Sequence, residues 1–136
     1  MAMATGVQVT FDCADPARLS AFWASALGYV VQPPPEGYDS WPAFLTAIGV
    51  PESEWDTRSA AVDPDGRGPR LFFQQVPEPK AAKNRVHLDV NVGHDRVDAE
   101  VARLVGEGAS VVRDTAIGPE RWVVMADPEG NEFCVQ

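Results

Sequence analysis

The sequence predicts an α+β fold built from two βαβββ modules. Three observations carry that prediction. An alternating strand, an amphipathic helix and further strands follow one another in the same order twice. A glycine closes each helix. An Asp-Pro-acid-Gly turn precedes the last strand of each copy, in "AVDPDGRGPRLFFQQ" and in "MADPEGNEFCVQ". Self-similarity at this scale is the mark of a duplicated supersecondary unit.

In the first copy, Val7, Val9, Phe11 and Cys13 alternate with Gln8, Thr10 and Asp12, the pattern of a half-buried strand. "ADPARLSAFWASALG" follows. Asp15 is a capping residue, Pro16 suits the first helical turn, and Leu19, Phe22, Trp23, Ala26 and Leu27 recur at helical spacing before Gly28 stops the helix. "YVVQ" is a short strand, and "RSAAV" with "PRLFFQQV" makes a hairpin across the turn at Asp63. In the second copy Val86, Leu88, Val90 and Val92 alternate with His87, Asp89 and Asn91. Val97, Val101, Leu104 and Val105 form the helical stripe, and Gly106 and Gly108 end it. "ASVVRD", "RWVVMAD" and "NEFCVQ" supply three more strands.

Gly28 and Gly108 lie 80 residues apart, but the turns at Asp63 and Asp127 only 64, so the first copy is 16 residues longer between helix and turn. The surplus falls in "PPPEGYDSWPAFLTAIGVPESEWDT". There Trp41, Phe44, Leu45 and Ile48 have helical spacing and need somewhere to bury, which predicts an ordered insertion with a short helix over a cleft or partner surface. The chain is expected to be one domain, 1–136, with a first module at about 6–77, an insertion at about 33–57 and a second module at about 85–136.

The composition, 45% hydrophobic and 23% charged, supports a packed core without staples. With 20 acidic against 11 basic residues and a net charge of −9, no cationic surface is available to displace phosphate counterions or to hold an anionic membrane, so neither nucleic acid nor membrane is an expected partner. Cys13 and Cys134 stand far apart without CxxC spacing, as reduced thiols do. No basic-then-apolar leader or membrane-length apolar run occurs, and a cytoplasmic protein is expected.

The βαβββ repeat, with "DPARLSAFWASALGY" after the first strand, "RVHLDV" opening the second copy and "ADPEGNEFCV" closing it, resembles the glyoxalase/bleomycin-resistance/extradiol-dioxygenase (vicinal oxygen chelate) superfamily, in its small bacterial glyoxalase-like branch. The resemblance implies a curved eight-stranded mixed sheet around a cleft, helices on the outer face, often one divalent metal in the cleft, and frequent homodimers. It maps the metal positions onto Gln8, Gln74, His87 and Cys134, with Glu132 one alternation before Cys134. One imidazole, two neutral amides and a thiol are weak donors for a divalent ion, so no cofactor is required, with a divalent metal as the alternative.

Gln8, Gln74, His87, Glu132 and Cys134 each oppose an apolar strand face, and convergent polar groups in a concavity define a binding site. Trp41 and Phe44 in the insertion, and Trp122 on a late strand, either line an apolar ligand pocket or pack at a dimer seam. Lys80, Lys83 and Arg85 form a basic cluster in the linker, either a solvated segment or an attractor for an anionic ligand. The expected function is binding of a small organic ligand, as in drug or metabolite sequestration. The alternative is an enzyme: a metal-dependent lyase, isomerase or dioxygenase, or a metal-free acid/base catalyst using His87 with Asp89 or Glu132. Cys134 is expected to be an inert buried thiol rather than a nucleophile.

Overall fold

A computed structural model describes residues 3–136. The chain divides into two compact units, Met1–Glu78 and Pro79–Gln136. In the first, β1 (Val9–Cys13) leads into α1 (Pro16–Leu27), β2 (Val30–Val31), α2 (Trp41–Ala47), a 3-10 turn at Glu52–Glu54, β3 (Arg58–Val62) and β4 (Leu71–Gln75). The strands hydrogen-bond in the order β1-β4-β3-β2, with β1 parallel to β4 and the other pairs antiparallel. The second unit runs β5 (Leu88–Val90), a 3-10 turn at His94–Arg96, α3 (Val97–Gly106), β6 (Ser110–Ile117), β7 (Glu120–Ala126) and β8 (Glu132–Val135). Its order is β5-β8-β7-β6, again with one parallel pair, β5 with β8. The α+β class and the two βαβββ modules therefore stand, hydrogen-bonded as two four-stranded mixed sheets of identical strand order.

Local chemistry fixes α1 at both ends. The Asp15 carboxylate accepts the Arg18 amide at 3.2 Å, Pro16 occupies the first turn, and Gly28 turns left-handed at φ +69° while donating its N–H to the Ala24 carbonyl. The inward stripe of α1 packs on β2, β3 and β4. Leu19, Trp23, Leu71 and Phe73 are at most 1% exposed, and Phe11 stacks on Phe73 with ring centroids 5.1 Å apart. Each buried Leu or Phe of this set stabilises the unit by about 1.5–3 kcal/mol. Ser20, fully buried, links helix to sheet by bonding the Ala17 carbonyl at 3.1 Å and the Ser59 hydroxyl at 2.7 Å.

The second unit departs from its sequence pattern twice. Its first strand begins at Leu88 rather than Val86, which is 80% exposed. On α3 the inward face takes Val97, Glu100 and Leu104, whereas Val105 remains 47% exposed. A carboxylate can stand on that face because Arg103 donates Nη2 to Glu100 at 2.8 Å and Nε at 3.1 Å, and Arg96 donates Nη2 at 3.1 Å. These donors, Arg103 first, hold the Glu100 carboxyl below the usual glutamate range.

The repeated turns share one mechanism. The Asp63 carboxylate accepts the amides of Asp65 (2.8 Å), Gly68 (2.8 Å) and Arg67 (3.1 Å), and Gly66 takes φ +69°. The Asp127 carboxylate accepts the amides of Glu129 (2.9 Å) and Asn131 (3.0 Å) and the Asn131 side-chain NH2 (2.9 Å), and Gly130 takes φ +86°. Each aspartate thus folds the turn back on its own side chain and aims the closing strand. Among the described residues, no helix is long and apolar enough to cross a membrane.

Candidate functional site

In the first unit, strand alternation places Phe11, Leu71 and Phe73 on the core face. The register pairs Thr10 with Phe72, Asp12 and Arg58 with Gln74, and Ala60 with Phe72, so these residues share the other face. The insertion closes over part of that face and leaves a cavity of about 350 Å3, within the range ligand sites occupy. Ala60 and Phe72 line it from the strands, with Arg58 and Arg70; Trp41, Leu45, Val50 and Trp55 line it from the insertion, and the exposed Glu54 and Asp56 also border it. The insertion is ordered by its own chemistry. Ser40 caps α2 by accepting the Ala43 amide at 3.2 Å. The Trp41 indole donates to the Gln32 carbonyl at 2.8 Å and the Trp55 indole to the Val50 carbonyl at 3.0 Å. Each ring therefore presents its face with its polar edge already satisfied. Ile48, expected to bury with Trp41, Phe44 and Leu45, stays 55% exposed at the helix end.

Two guanidinium groups stand at the cavity beside the carboxylates of Glu54 and Asp56. Arg70 donates Nε to Gln32 Oε1 at 2.8 Å and Nη1 to Gln8 Oε1 at 2.9 Å, and lies 5.2 Å over the Phe72 ring. Its recorded partners are neutral amides and an aromatic face. Arg58 has no side-chain hydrogen bond or ion pair among the described residues, although its strand is continuous with the cavity lining.

In the second unit, Asp89 pairs with Cys134 in the β5–β8 register, and His87 stands two residues earlier on the same face. His87 Nδ1 lies 3.4 Å from Asp89 Oδ1, and one donor atom from each of His87, Asp89 and Cys134 falls within 4.8 Å of the others. Burial, and then the adjacent Asp89 carboxylate, pushes the Cys134 thiol up, which disfavours the thiolate. Glu132 lies beside this group but is bound by Lys83 Nζ at 2.9 Å. That hydrogen bond holds its carboxyl below the usual range, the opposite of what a general acid at neutral pH requires. Two of the three basic linker residues are accordingly engaged within the unit, Lys83 with Glu132 and Lys80 by donating to the Ala82 carbonyl. Trp122 shares this strand face, opposite Thr115 on β6, and is half-buried.

The sequence-predicted residues thus separate. Trp41 lines the cavity; Gln8 reaches it only by holding Arg70. Phe44 packs edge-on against Tyr38 and Trp41, at 5.1 and 5.9 Å, and does not line it. Gln74 donates to Asp12 at 2.7 Å. His87, Asp89, Glu132, Cys134 and Trp122 belong to the second unit. Arg58 and Arg70 were missed, although both stand in phase with Phe72 and Gln74 in the alternation of "RSAAV" and "PRLFFQQ".

The metal that such a fold often carries can be tested against these donors. His87, Asp89 and Cys134 are close enough to form a metal-ligand group, but a hard, oxygen-preferring ion such as Mn(II) finds only one oxygen ligand in it, the Asp89 carboxylate, beside an imidazole and a soft sulfur. Gln8 Oε1, the atom a metal would use, accepts from Arg70. The residues present do not fit that ion.

The fold is of the α+β class, with a cavity in its first unit. The profile of the glyoxalase-like domain matches residues 8–136, and the chain belongs to that family. Its fold is similar to that of a variant of the fosfomycin resistance protein FosX from Listeria monocytogenes, complexed with Mn(II) and 1S,2S-dihydroxypropylphosphonic acid. The TM-score is 0.67 at 12% identity over 98% of this chain and 90% of that one. It is similar also to a possible glyoxalase from Bacillus cereus (0.64, 16%, 98% and 99%). A glyoxalase/bleomycin resistance/dioxygenase family enzyme from Burkholderia phytofirmans matches likewise (0.64, 18%, 94% and 94%). No curated protein matches.

Proposed function

We propose that this chain is a small-molecule-binding member of the glyoxalase-like family that seats an organic ligand in the cavity beneath the insertion, without an obligatory metal. The cavity carries the reading: two tryptophans, Leu45, Val50 and Phe72 surround a preformed space, and two arginines supply polar anchors. Sequestration of a drug or metabolite is the role this reading assigns to the cavity. The working unit is taken as a homodimer in the cytoplasm.

A thermal-shift screen tests this, because a ligand that binds only the folded state stabilises it by RT ln(1 + [L]/Kd), about 2.7 kcal/mol at a hundredfold excess over Kd. Hits should raise the melting temperature with concentration in the parent and lose that effect in Trp55→Ala. A screen without any concentration-dependent stabilisation would overturn the reading.

The 3.4 Å approach of His87 Nδ1 to Asp89 favours a second reading, acid/base catalysis with Asp89 orienting the imidazole. His87→Ala separates the two, since binding in the cavity survives it and catalysis does not. A stoichiometric divalent ion in protein purified without chelator, lost in the same variant, would sink the metal-free assignment.

A further inference from the structure

With net charge −9, carboxylates are abundant; Arg18, Arg85 and Arg113 hold none within ion-pair distance among the described residues, but Arg67, Arg96, Arg103 and Arg121 each hold one at 3.2 Å or less. The two arginines lining the cavity do not. Arg70 is fixed by the amide oxygens of Gln32 and Gln8, which orient a guanidinium without neutralising it. Arg58 has no side-chain partner among the described residues. Glu54 and Asp56 also border the space, yet neither lies within ion-pair distance of either arginine. Two arginines outside any ion pair thus stand beside an aromatic cavity whose border also carries two carboxylates.

We infer that the cavity takes a planar aromatic carboxylate, its ring between the Trp41 and Trp55 side and Phe72, and its carboxylate on Arg58 and Arg70. This rests on the reading that the cavity is the ligand seat. Planar guanidinium groups match carboxylate geometry, and Trp and Phe faces accept a flat ring. The restrained Arg70 supplies a preset donor, and the unpartnered Arg58 can adjust to the ligand.

A matched pair tests the class: 1-naphthoate and its neutral analogue 1-naphthamide, titrated by calorimetry and by tryptophan fluorescence. Naphthoate should bind at least about tenfold more tightly, the factor a charge-assisted hydrogen bond supplies. That advantage should shrink at high salt, and Arg58→Gln should abolish most of it while leaving the amide's affinity in place. Arg58 has no intramolecular partner to lose, so the variant is expected to fold; circular dichroism checks it. Equal affinities for acid and amide, or an acid preference unchanged in both Arg58→Gln and Arg70→Gln, would overturn the inference and leave cavity binding intact. Failure of both probes overturns it too, and the library screen then decides separately whether the cavity binds anything.

Discussion

Replacing Asp127 by alanine removes the acceptor on which the second turn is built. The side chain is 4% exposed, and it accepts two backbone amides, from Glu129 at 2.9 Å and Asn131 at 3.0 Å, besides the Asn131 side chain at 2.9 Å. A hydrogen bond to a charged acceptor contributes about 1.5–3 kcal/mol. Glu129 and Asn131 are half-buried, so water recovers part of each released donor. The expected loss for Asp127→Ala is about 3 kcal/mol, and about 1 kcal/mol for Asp127→Asn, which keeps one carbonyl oxygen in place. Asp63→Ala, whose Asp65 and Arg67 donors sit at the surface, should cost distinctly less than Asp127→Ala. Urea unfolding followed by far-UV circular dichroism measures all three. A loss below about 1 kcal/mol for Asp127→Ala, or a larger loss for Asp63→Ala, would refute the argument that the buried copy of this turn anchors its strand.

Glu100→Gln should destabilise the protein by about 1–2 kcal/mol at neutral pH, discounted from the full strength of two arginine contacts because Arg96 is 64% exposed. The folded carboxyl ionises more readily than an unfolded glutamate, so the contribution is complete above the unfolded pKa of about 4.3 and fades as pH falls through the lower folded value. The gap between variant and parent should therefore close in acid, and a gap independent of pH would exclude the ion pairs as its origin. Cys134, buried and with its thiol pushed up, should be alkylated by iodoacetamide far more slowly in the folded protein than in urea; mass spectrometry of the labelled peptide reads the ratio, and equal rates would contradict an inert thiol.

Much of this architecture was legible because its signals are local. Asp15, Pro16 and Gly28 bound α1 through contacts within a few residues, and strand alternation needs only neighbouring side chains. The duplicated Asp-Pro turns marked the repeat because each turn is closed by its own aspartate. What the residues alone did not disclose depends on partners distant in sequence. Glu100 faces inward because Arg96 and Arg103 neutralise it, and a hydrophobicity pattern without charge pairing assigns that position to the surface. Gln8 and Gln74 looked like degenerate ligands by position, yet they bond Arg70 and Asp12, each 62 residues away. Arg58 and Arg70 were missed for a similar reason. A charged residue opening a strand is ordinarily solvated, and only the folded insertion shows that they border a cavity.

The insertion leaves from β2 and returns on β3, and those two strands pair directly, Val31 opposite Ala61. Its two ends are therefore held together by the sheet whatever lies between them, as in a long hairpin loop. Neither Trp41 nor Trp55 belongs to the fully buried core around Trp23 and Phe73. Exchanging this one segment would therefore change the Trp41, Leu45, Val50 and Trp55 side of the cavity while the sheet and α1 keep their packing. That makes the loop between Val31 and Arg58 the natural place for relatives, or an engineer, to choose a different guest.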